Sequence, residues 1–176
     1  MIRYILLLIP FYMLTTTTLF DFSKESDLSN WYIVNDGVMG GISQSNFRLN
    51  ENGNGLFEGN VSLENNGGFC SLRYAIRNTD ITGKTTVVIR LKGDGKTYKL
   101  RLKKNASDYY TYTTNFKTSG DWETIEIPLN SLYPSFRGRR LNIGNFTADT
   151  IEELGFLIAN KKKETFQLEL DFIKVK

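Results

Sequence analysis

Histidine is absent from this sequence of 176 residues, and cysteine occurs once, as Cys70. Without histidine the chain cannot build a Ser-His-Asp or Cys-His nucleophile system or a His-ligated zinc site. One thiol cannot form an internal disulfide or a multi-thiolate metal centre. We therefore expect no chemistry of these kinds, no cofactor, and a fold that is stabilised by side-chain packing alone.

The net charge is small, and proline is also scarce. The 22 Lys and Arg residues only slightly outnumber the 19 Asp and Glu residues, which gives a net charge of +3. Nucleic-acid-binding proteins carry much stronger basic surfaces, so we expect no nucleic-acid partner. Three prolines exclude a Pro-rich linker, and the length is typical of one domain.

The beginning of the chain has the pattern of an export signal. Arg3 precedes an apolar stretch, residues 4–14, which only Pro10 interrupts, and four threonines follow. This stretch is too short to span a bilayer comfortably, and no Ala-x-Ala-like cleavage site follows it. We predict a leader at residues 1–18, one domain at residues 19–176 and an exported protein, whether periplasmic, envelope-associated or secreted. An uncleaved membrane anchor and a ragged first strand are the alternatives.

The rest of the chain has the pattern of many short β-strands. Clusters of Gly and Asn recur at short intervals and mark tight turns. Between them, residues 98–102 and 166–172 place apolar side chains at every second position. Because side chains alternate between the two faces of a strand, Phe172 is predicted to face the core together with Phe166. The fold class that this pattern predicts is an all-β antiparallel β-sandwich of the jelly-roll type.

Two segments favour a short helix. Residues 23–30 have Ser23 in a suitable position for an N-cap, and residues 149–154 contain Glu152 and Glu153, which are typical of a helix start. Neither segment is long enough to form a layer of the fold.

Three glycine-containing segments follow one another in a specific order. Residues 31–43 read WYIVNDGVMGGIS, residues 55–59 read GLFEG, and residues 63–73 read LENNGGFCSLR. In order and spacing these segments resemble the complex I intermediate-associated protein 30 family. The two ends, residues 19–22 and 168–174, are also similar to that family, so the resemblance covers nearly the whole chain after the predicted leader.

The resemblance implies a galactose-binding-domain-like jelly roll, a β-sandwich that is shared with carbohydrate-binding modules. It also implies a non-catalytic role, because eukaryotic members of the family are mitochondrial assembly factors that act on intermediates of respiratory complex I. This sequence departs from those members in its leader, which is of the export type rather than a mitochondrial transit peptide. It also shows no fused dinucleotide-binding domain of the kind that some relatives have.

The turn that begins at Asn35 is the first candidate binding site. Asn35 and Asp36 would present an amide and a carboxylate there, and the glycines would let the backbone approach a sugar or a peptide. The same residue types also suit a demanding turn that binds nothing. The candidate contact residues in this region and in the next glycine-rich loop are Trp31, Asn35, Asp36, Met39, Gly40, Gly41, Ser43, Asn66, Gly67, Gly68 and Phe69.

Arg73 is a separate candidate. It lies on the solvent face of a predicted strand whose other face carries Cys70, which we place in the core. The Arg73 guanidinium is suited to a carboxylate or a ligand hydroxyl, and the alternative is a surface ion pair with Glu58 or a similar neighbour.

Two basic clusters complete the candidates for partner binding. If the strands on either side of residues 93–95 pair with each other, five cations line one solvent face: Arg90, Lys92, Lys99, Arg101 and Lys103. We regard this basic stripe as a solvated face that would attract acidic partners. The loop with the densest positive charge contains Arg137, Arg139 and Arg140 and is a candidate contact point for a protein partner.

Aromatic residues and carboxylates allow three further hypotheses. Tyr109, Tyr110 and Tyr112 with Trp31 and Trp122 would form a platform for stacking sugars, although for most of them a position in the core is favoured over this one. Glu169 and Asp171 share a strand face, but nothing else supports glycoside hydrolysis. Asp21 and Asp171 would be ligands for a structural calcium ion, so the presence of a metal stays open.

These observations leave two functional hypotheses from different classes. The first is a non-catalytic assembly module that binds a protein partner, such as an assembly intermediate of a membrane respiratory (NADH:ubiquinone oxidoreductase-like) complex. The second is an exported carbohydrate-binding module.

Overall fold

A computed structural model describes residues 15–176 and shows two antiparallel β-sheets that pack face to face, which confirms the predicted all-β sandwich. The strands of the first sheet are β1 (Thr17–Asp21), β3 (Gln44–Leu49), β4 (Gly55–Val61), β6 (Thr86–Lys92), β9 (Trp122–Pro128) and β13 (Glu164–Val175). The strands of the second sheet are β2 (Trp31–Asn35), β5 (Cys70–Asp80), β7 (Thr97–Lys103), β8 (Thr111–Lys117), β10 (Tyr133–Phe136), β11 (Arg139–Arg140) and β12 (Thr150–Ile158).

The order of the strands differs from their order along the chain. The first sheet runs β3-β4-β13-β6-β9, with β1 pairing with β13, and the second runs β11-β10-β8-β7-β12-β5-β2. Consecutive strands β6 and β7 therefore lie in different sheets. Many of the strand pairs join segments that are distant in sequence.

The core lies between the sheets and consists of the inward-facing apolar residues of both. Tyr98, Leu100 and Leu102 are buried, as their alternation predicts, and Cys70 is a fully buried core residue as expected. Each fully buried side chain of Leu or Phe size contributes about 1.5–3 kcal/mol of transfer free energy. No helix in the part of the chain that the structure describes is long and apolar enough to cross a membrane.

The predicted inward position of Phe172 is wrong. Leu170 pairs with Leu91 but Phe172 pairs with Arg90, so β13 contains one extra residue at this point. Such a β-bulge exchanges the two faces for every residue that follows. Ile173 is consequently fully buried, and Phe172 lies on the outer face under the Lys174 ammonium, 4.1 Å from its ring centroid.

Neither predicted helix forms. Residues 23–30 contain turns, in which the backbone N–H of Ser29 donates to the Asp27 carboxylate at 2.8 Å; such short side-chain contacts compete with helix hydrogen bonds. Residues 150–154 belong to β12, because Ile151 and Leu154 are fully buried against the opposite sheet. Tertiary burial therefore overrides the helix-start pattern of the two glutamates.

The five predicted members of the basic stripe do not share a face. Arg90 and Lys92 lie on β6 of the first sheet, whereas Lys99, Arg101 and Lys103 lie on β7 of the second sheet. Residues 93–95 cross between the sheets instead of forming a hairpin. Asp94 holds this crossover, since its carboxylate accepts hydrogen bonds from the Tyr98 hydroxyl at 2.9 Å and the Gln167 backbone N–H at 3.0 Å.

Most of the predicted leader, residues 1–18, lies outside the described residues. Strand β1 begins at Thr17, two residues before the predicted boundary, and Thr17 and Thr18 pair with Val175 and Lys174 of β13. Cleavage and export themselves stay predictions.

Candidate functional site

Asp36 is the centre of the first candidate region, and its side chain lies inside the protein. It is 1% exposed. One carboxylate oxygen, Oδ2, accepts hydrogen bonds from the Ser43 hydroxyl at 2.5 Å and from the backbone N–H groups of Gly68 at 2.6 Å and Phe69 at 3.2 Å. The other oxygen, Oδ1, accepts from the Ser43 backbone N–H at 3.0 Å. Asp36 thus joins two loops that are about thirty positions apart in sequence, and we call this arrangement the Asp36 cradle.

Glycines make the Asp36 cradle sterically possible. A Cβ on Gly41 would overlap the Asp36 carboxyl group, and a Cβ on Gly67 would lie 2.7 Å from its Oδ2. Gly40 has a left-handed backbone with φ of 86°, which glycine adopts without strain. The sequence NDGVMGGIS therefore encodes a buried carboxylate and the backbone that surrounds it.

The cradle keeps Asp36 ionised. Burial by itself raises the pKa of this carboxyl, but the hydrogen bonds from Ser43, Gly68 and Phe69 outweigh burial, so its pKa lies below its ordinary value. A carboxylate whose acceptor positions are filled in this way holds loops together. A direct contact between this region and a partner stays a prediction.

The remaining residues of the two loops differ in exposure. Asn35 Oδ1 accepts a hydrogen bond from the Ser45 hydroxyl at 2.7 Å, so its amide oxygen is also engaged within the protein. Asn66 is exposed and has a left-handed backbone. Ile42 is an exposed apolar residue of the first loop. The side chain of Met39 lies outside the described part of the structure.

Trp31 lies in an aromatic cluster of the core. Its ring stacks on Tyr74 with centroids 4.5 Å apart, and Phe20, Phe22 and Phe47 surround it at 5.1–5.4 Å. The predicted platform is therefore brought together only in part: the Tyr110 ring contacts Tyr109 and Tyr112, with centroids 5.2 Å and 5.5 Å apart, whereas the two tryptophans lie elsewhere. Tyr112 is also buried, Tyr109 is exposed near β10, and Trp122 lies in the other sheet beneath Arg90.

The basic loop of Arg137, Arg139 and Arg140 is a tight β-hairpin at the edge of the second sheet. Arg137 and Gly138 form its turn with positive φ angles of 48° and 78°. The Arg140 guanidinium lies 5.0 Å above the ring centroid of Tyr133. A partner contact by this hairpin also stays a prediction.

The outer face of the second sheet contains a row of residues that are direct cross-strand neighbours, which we call the polar row. Its members, in order across the sheet, are Tyr32, Arg73, Gly155, Arg101, Thr113 and Tyr133. It crosses six strands and includes Arg73, which the sequence had indicated. The expected ion pair of Arg73 forms with Glu153, at 3.9 Å, and not with Glu58, which pairs with Arg48 at 3.0 Å.

The carboxylate of Glu153 lies beside the end of the row that contains Tyr32 and Arg73. It is 8% exposed, accepts a hydrogen bond from the Tyr32 hydroxyl at 2.7 Å, and lies 3.9 Å from Arg73 Nη1. Burial, and to a lesser extent the hydrogen bond and the negative charge of Glu153, raise the pKa of Tyr32. Glu153 therefore orients both Tyr32 and Arg73.

Arg101 forms hydrogen bonds, whereas Arg73 forms an ion pair. Its Nε and Nη2 atoms both donate to the Thr111 hydroxyl at 3.2 Å. Burial, and then the neighbouring positive charge of Arg73, lower the pKa of Arg101 to about 10. Gly155 separates the two arginines. A Cβ at Gly155 would lie 2.7 Å from the Leu72 carbonyl oxygen and 3.5 Å from Arg73 Cγ, so this position requires glycine and the Arg73 side chain packs against it.

Sequence reasoning identified Arg73 but missed Tyr32, Glu153 and Gly155 as members of one site. The signals were a polar residue within an otherwise apolar stretch and a glycine within a strand pattern. Neither signal indicates which strands are neighbours, and the site depends on that.

The hypothesis of a structural calcium ion finds little support, and Cys70 has the properties of a core residue. Within residues 15–176 no group of three or more His, Cys, Asp or Glu residues could hold a metal ion. Asp171, one of the proposed calcium ligands, forms an ion pair with Arg90 at 3.0 Å. Burial raises the pKa of the Cys70 thiol to about 11, which makes it unreactive at neutral pH.

Residues 20–170 match the model of the family described as Complex I intermediate-associated protein 30. The mouse mitochondrial protein of that name is 24% identical in an alignment that covers 88% of this chain and 54% of the relative. A probable mitochondrial member from Caenorhabditis briggsae is also 24% identical, over 89% of this chain and 52% of the relative. The chain thus spans about half the length of these relatives.

The fold is similar to that of a family 11 carbohydrate-binding module from Clostridium thermocellum, solved in complex with a β-1,3-1,4-mixed-linked tetrasaccharide. The TM-score is 0.67 at 19% identity, over 91% of this chain and 94% of that chain. At this identity the similarity concerns the fold alone. The family match covers most of the described residues, including the whole Asp36 cradle, and the chain belongs to the Complex I intermediate-associated protein 30 family.

Proposed function

We propose that this protein is a non-catalytic module that binds a protein partner, and that the polar row on the second sheet is its binding surface. The observation that carries the proposal is the pair of arginines, Arg73 and Arg101, on either side of Gly155. The names of the relatives support a partner of the complex I intermediate class. We further propose an exported or envelope-associated location, in keeping with the leader pattern.

The energetics of the polar row support a binding role. Keeping Arg101 charged while largely buried opposes folding, because its pKa is lowered by burial and by Arg73. A fold selected for stability alone would gain from an apolar residue at this position. Arginine at the centre of a surface is also among the residue types that dominate the binding energy of protein interfaces.

The first test is an affinity pull-down from native membranes and envelope fractions with the full chain as bait. The variant Arg73→Gln/Arg101→Gln removes both charges, and Arg90→Gln is the matched control on the outer face of the first sheet. We expect the same membrane subunits with the unmodified chain and the control, and their loss with the double variant. Recovery of the same proteins by all three baits would contradict the proposal.

A carbohydrate ligand is the second candidate. Tyr32 and Tyr133 stand at the two ends of the polar row, Tyr32 being 40% exposed, and tyrosine rings pack well against the apolar faces of sugars. The similar carbohydrate-binding module holds a mixed-linked tetrasaccharide. A glycan array followed by calorimetry with Tyr32→Ala tests this candidate. An array without signal, together with an unchanged melting temperature in the presence of oligosaccharides, would exclude it.

A further inference from the structure

We propose that Arg73 and Arg101, on either side of Gly155, bind a side-chain carboxylate of an extended acidic segment of the protein partner. This inference rests on the proposed protein-binding function and specifies the chemistry that the polar row recognises. It is carried by unpaired donors, by local charge and by the shape of the row.

Hydrogen-bond donors exceed acceptors around Arg73 and Arg101. Arg73 Nε is buried, and no group within residues 15–176 accepts a hydrogen bond from it. Ser71, one position along the same face of β5, is fully buried, and its hydroxyl also has no partner among the described residues. Arg101 donates to one hydroxyl although a guanidinium carries five N–H groups. A ligand that supplies acceptors would satisfy the remaining N–H groups of the two guanidiniums, whereas the fully buried Ser71 hydroxyl is out of its reach.

The positive charge around Arg101 favours anionic acceptors. Burial, followed by the positive charges of Arg101 and Lys161, lowers the pKa of Lys99, so these cations oppose one another. Glu153 is the one carboxylate that the structure pairs with Arg73, and Tyr32 also donates to it. An incoming carboxylate would neutralise this excess of positive charge and restore the pKa of Arg101 towards its usual range.

The shape of the row suits a carboxylate. Arg73 and Arg101 are each one strand away from Gly155, so their Cα atoms are about 10 Å apart. Two long side chains can converge from that separation on one carboxylate, to which a guanidinium binds in bidentate geometry. Gly155 places no side chain between them, and Arg73 Cγ lies 3.5 Å from the position that a Cβ would take there.

The arrangement along β7 favours a peptide as the source of the carboxylate. Lys99 and Arg101 are two positions apart on the same face of the strand, which corresponds to a spacing of about 6.8 Å. An extended peptide repeats its side chains on one face at the same spacing. A segment with acidic residues at alternate positions would therefore place one carboxylate near each of the two cations.

The test uses a fluorescently labelled ten-residue oligoglutamate with the full chain and measures binding by fluorescence polarisation at physiological salt. We expect saturable binding that weakens at least about tenfold in Arg73→Gln and in Arg101→Gln and is unchanged in Arg90→Gln. Arg101→Lys keeps the charge but not the planar fork, and we expect it to restore only part of the affinity. Circular dichroism of each variant checks that it is folded.

Four outcomes would overturn the inference. If Arg101→Gln binds oligoglutamate as tightly as the unmodified chain does, Arg101 does not form part of a binding site. If Arg101→Lys keeps the full affinity, the attraction is one of diffuse charge and not of guanidinium geometry. Tighter binding of an oligouronate than of oligoglutamate would assign the carboxylate to a sugar. If a pulled-down partner depends on both arginines but oligoglutamate does not bind, this inference fails and the proposed function stands. If oligoglutamate binds but no protein is recovered, the proposed function fails instead.

Discussion

Replacing Asp36 by Asn is the sharpest test of the Asp36 cradle, because it changes a buried carboxylate into an amide of nearly the same shape. The carboxylate accepts four hydrogen bonds, three at Oδ2 and one at Oδ1. An amide offers an oxygen at only one of these positions. If that oxygen faces Ser43 Oγ, Gly68 and Phe69, the amide nitrogen faces the Ser43 backbone N–H, and two donors oppose each other.

The expected loss of stability follows from these contacts. A hydrogen bond to a charged group contributes about 1.5–3 kcal/mol, so one lost bond and one donor conflict destabilise the fold by about 3 kcal/mol. In a domain of this size that change lowers the melting temperature by roughly 6–12 °C. Thermal and urea denaturation at pH 7 measure it, and Ser43→Ala, which removes one donor, is expected to have a smaller effect.

The pH dependence gives an independent check. The pKa of Asp36 is lowered in the folded protein, so its contribution to stability is present above the pKa of the unfolded chain, about 4. That contribution is lost as the pH falls through the lowered folded value. The difference between the unmodified chain and Asp36→Asn should therefore shrink below about pH 4. A variant within about 0.5 kcal/mol of the unmodified chain at pH 7, or a difference that does not change with pH, would refute the argument.

Three further predictions concern other positions. Gly41→Ala should destabilise the protein strongly because its Cβ would overlap Asp36, whereas Gly37→Ala, with open space around it, should change the free energy of unfolding little; equal effects in urea denaturation would be evidence against the cradle. Arg101→Met should raise the melting temperature by several degrees, because burying the charge opposes folding by up to about 3 kcal/mol and the lost bonds to Thr111 offset only part of that; a lower melting temperature would show that Arg101 stabilises the fold. Cys70 should react with a thiol reagent only as fast as the protein unfolds, since burial raises its pKa to about 11; rapid labelling of the folded protein would contradict its core position.

The glycine-rich motif of residues 35–43 shows which features of a site the sequence predicts and which it does not. The composition of residues 35–43 indicates a demanding turn, and the structure contains one. The pattern does not reveal that the carboxylate of Asp36 points inwards to meet Gly68 and Phe69 of another loop. A buried ionised group depends on donors that are distant in sequence, so its role is visible only when those donors are in place.

The sequence by itself determined the fold class, the buried face of strands such as Thr97–Lys103 and the core position of Cys70. These features follow from local periodicity, because a strand with one apolar face must bury it. Only the tertiary structure decided the bulge that moved Phe172 outwards, the extended conformation of residues 150–153 at the start of β12 and the separation of Arg90 from Arg101 on opposite sheets. It also placed Arg73, Gly155 and Arg101 side by side. Strand order and register depend on contacts between distant segments, and these contacts leave no periodic signal in the sequence.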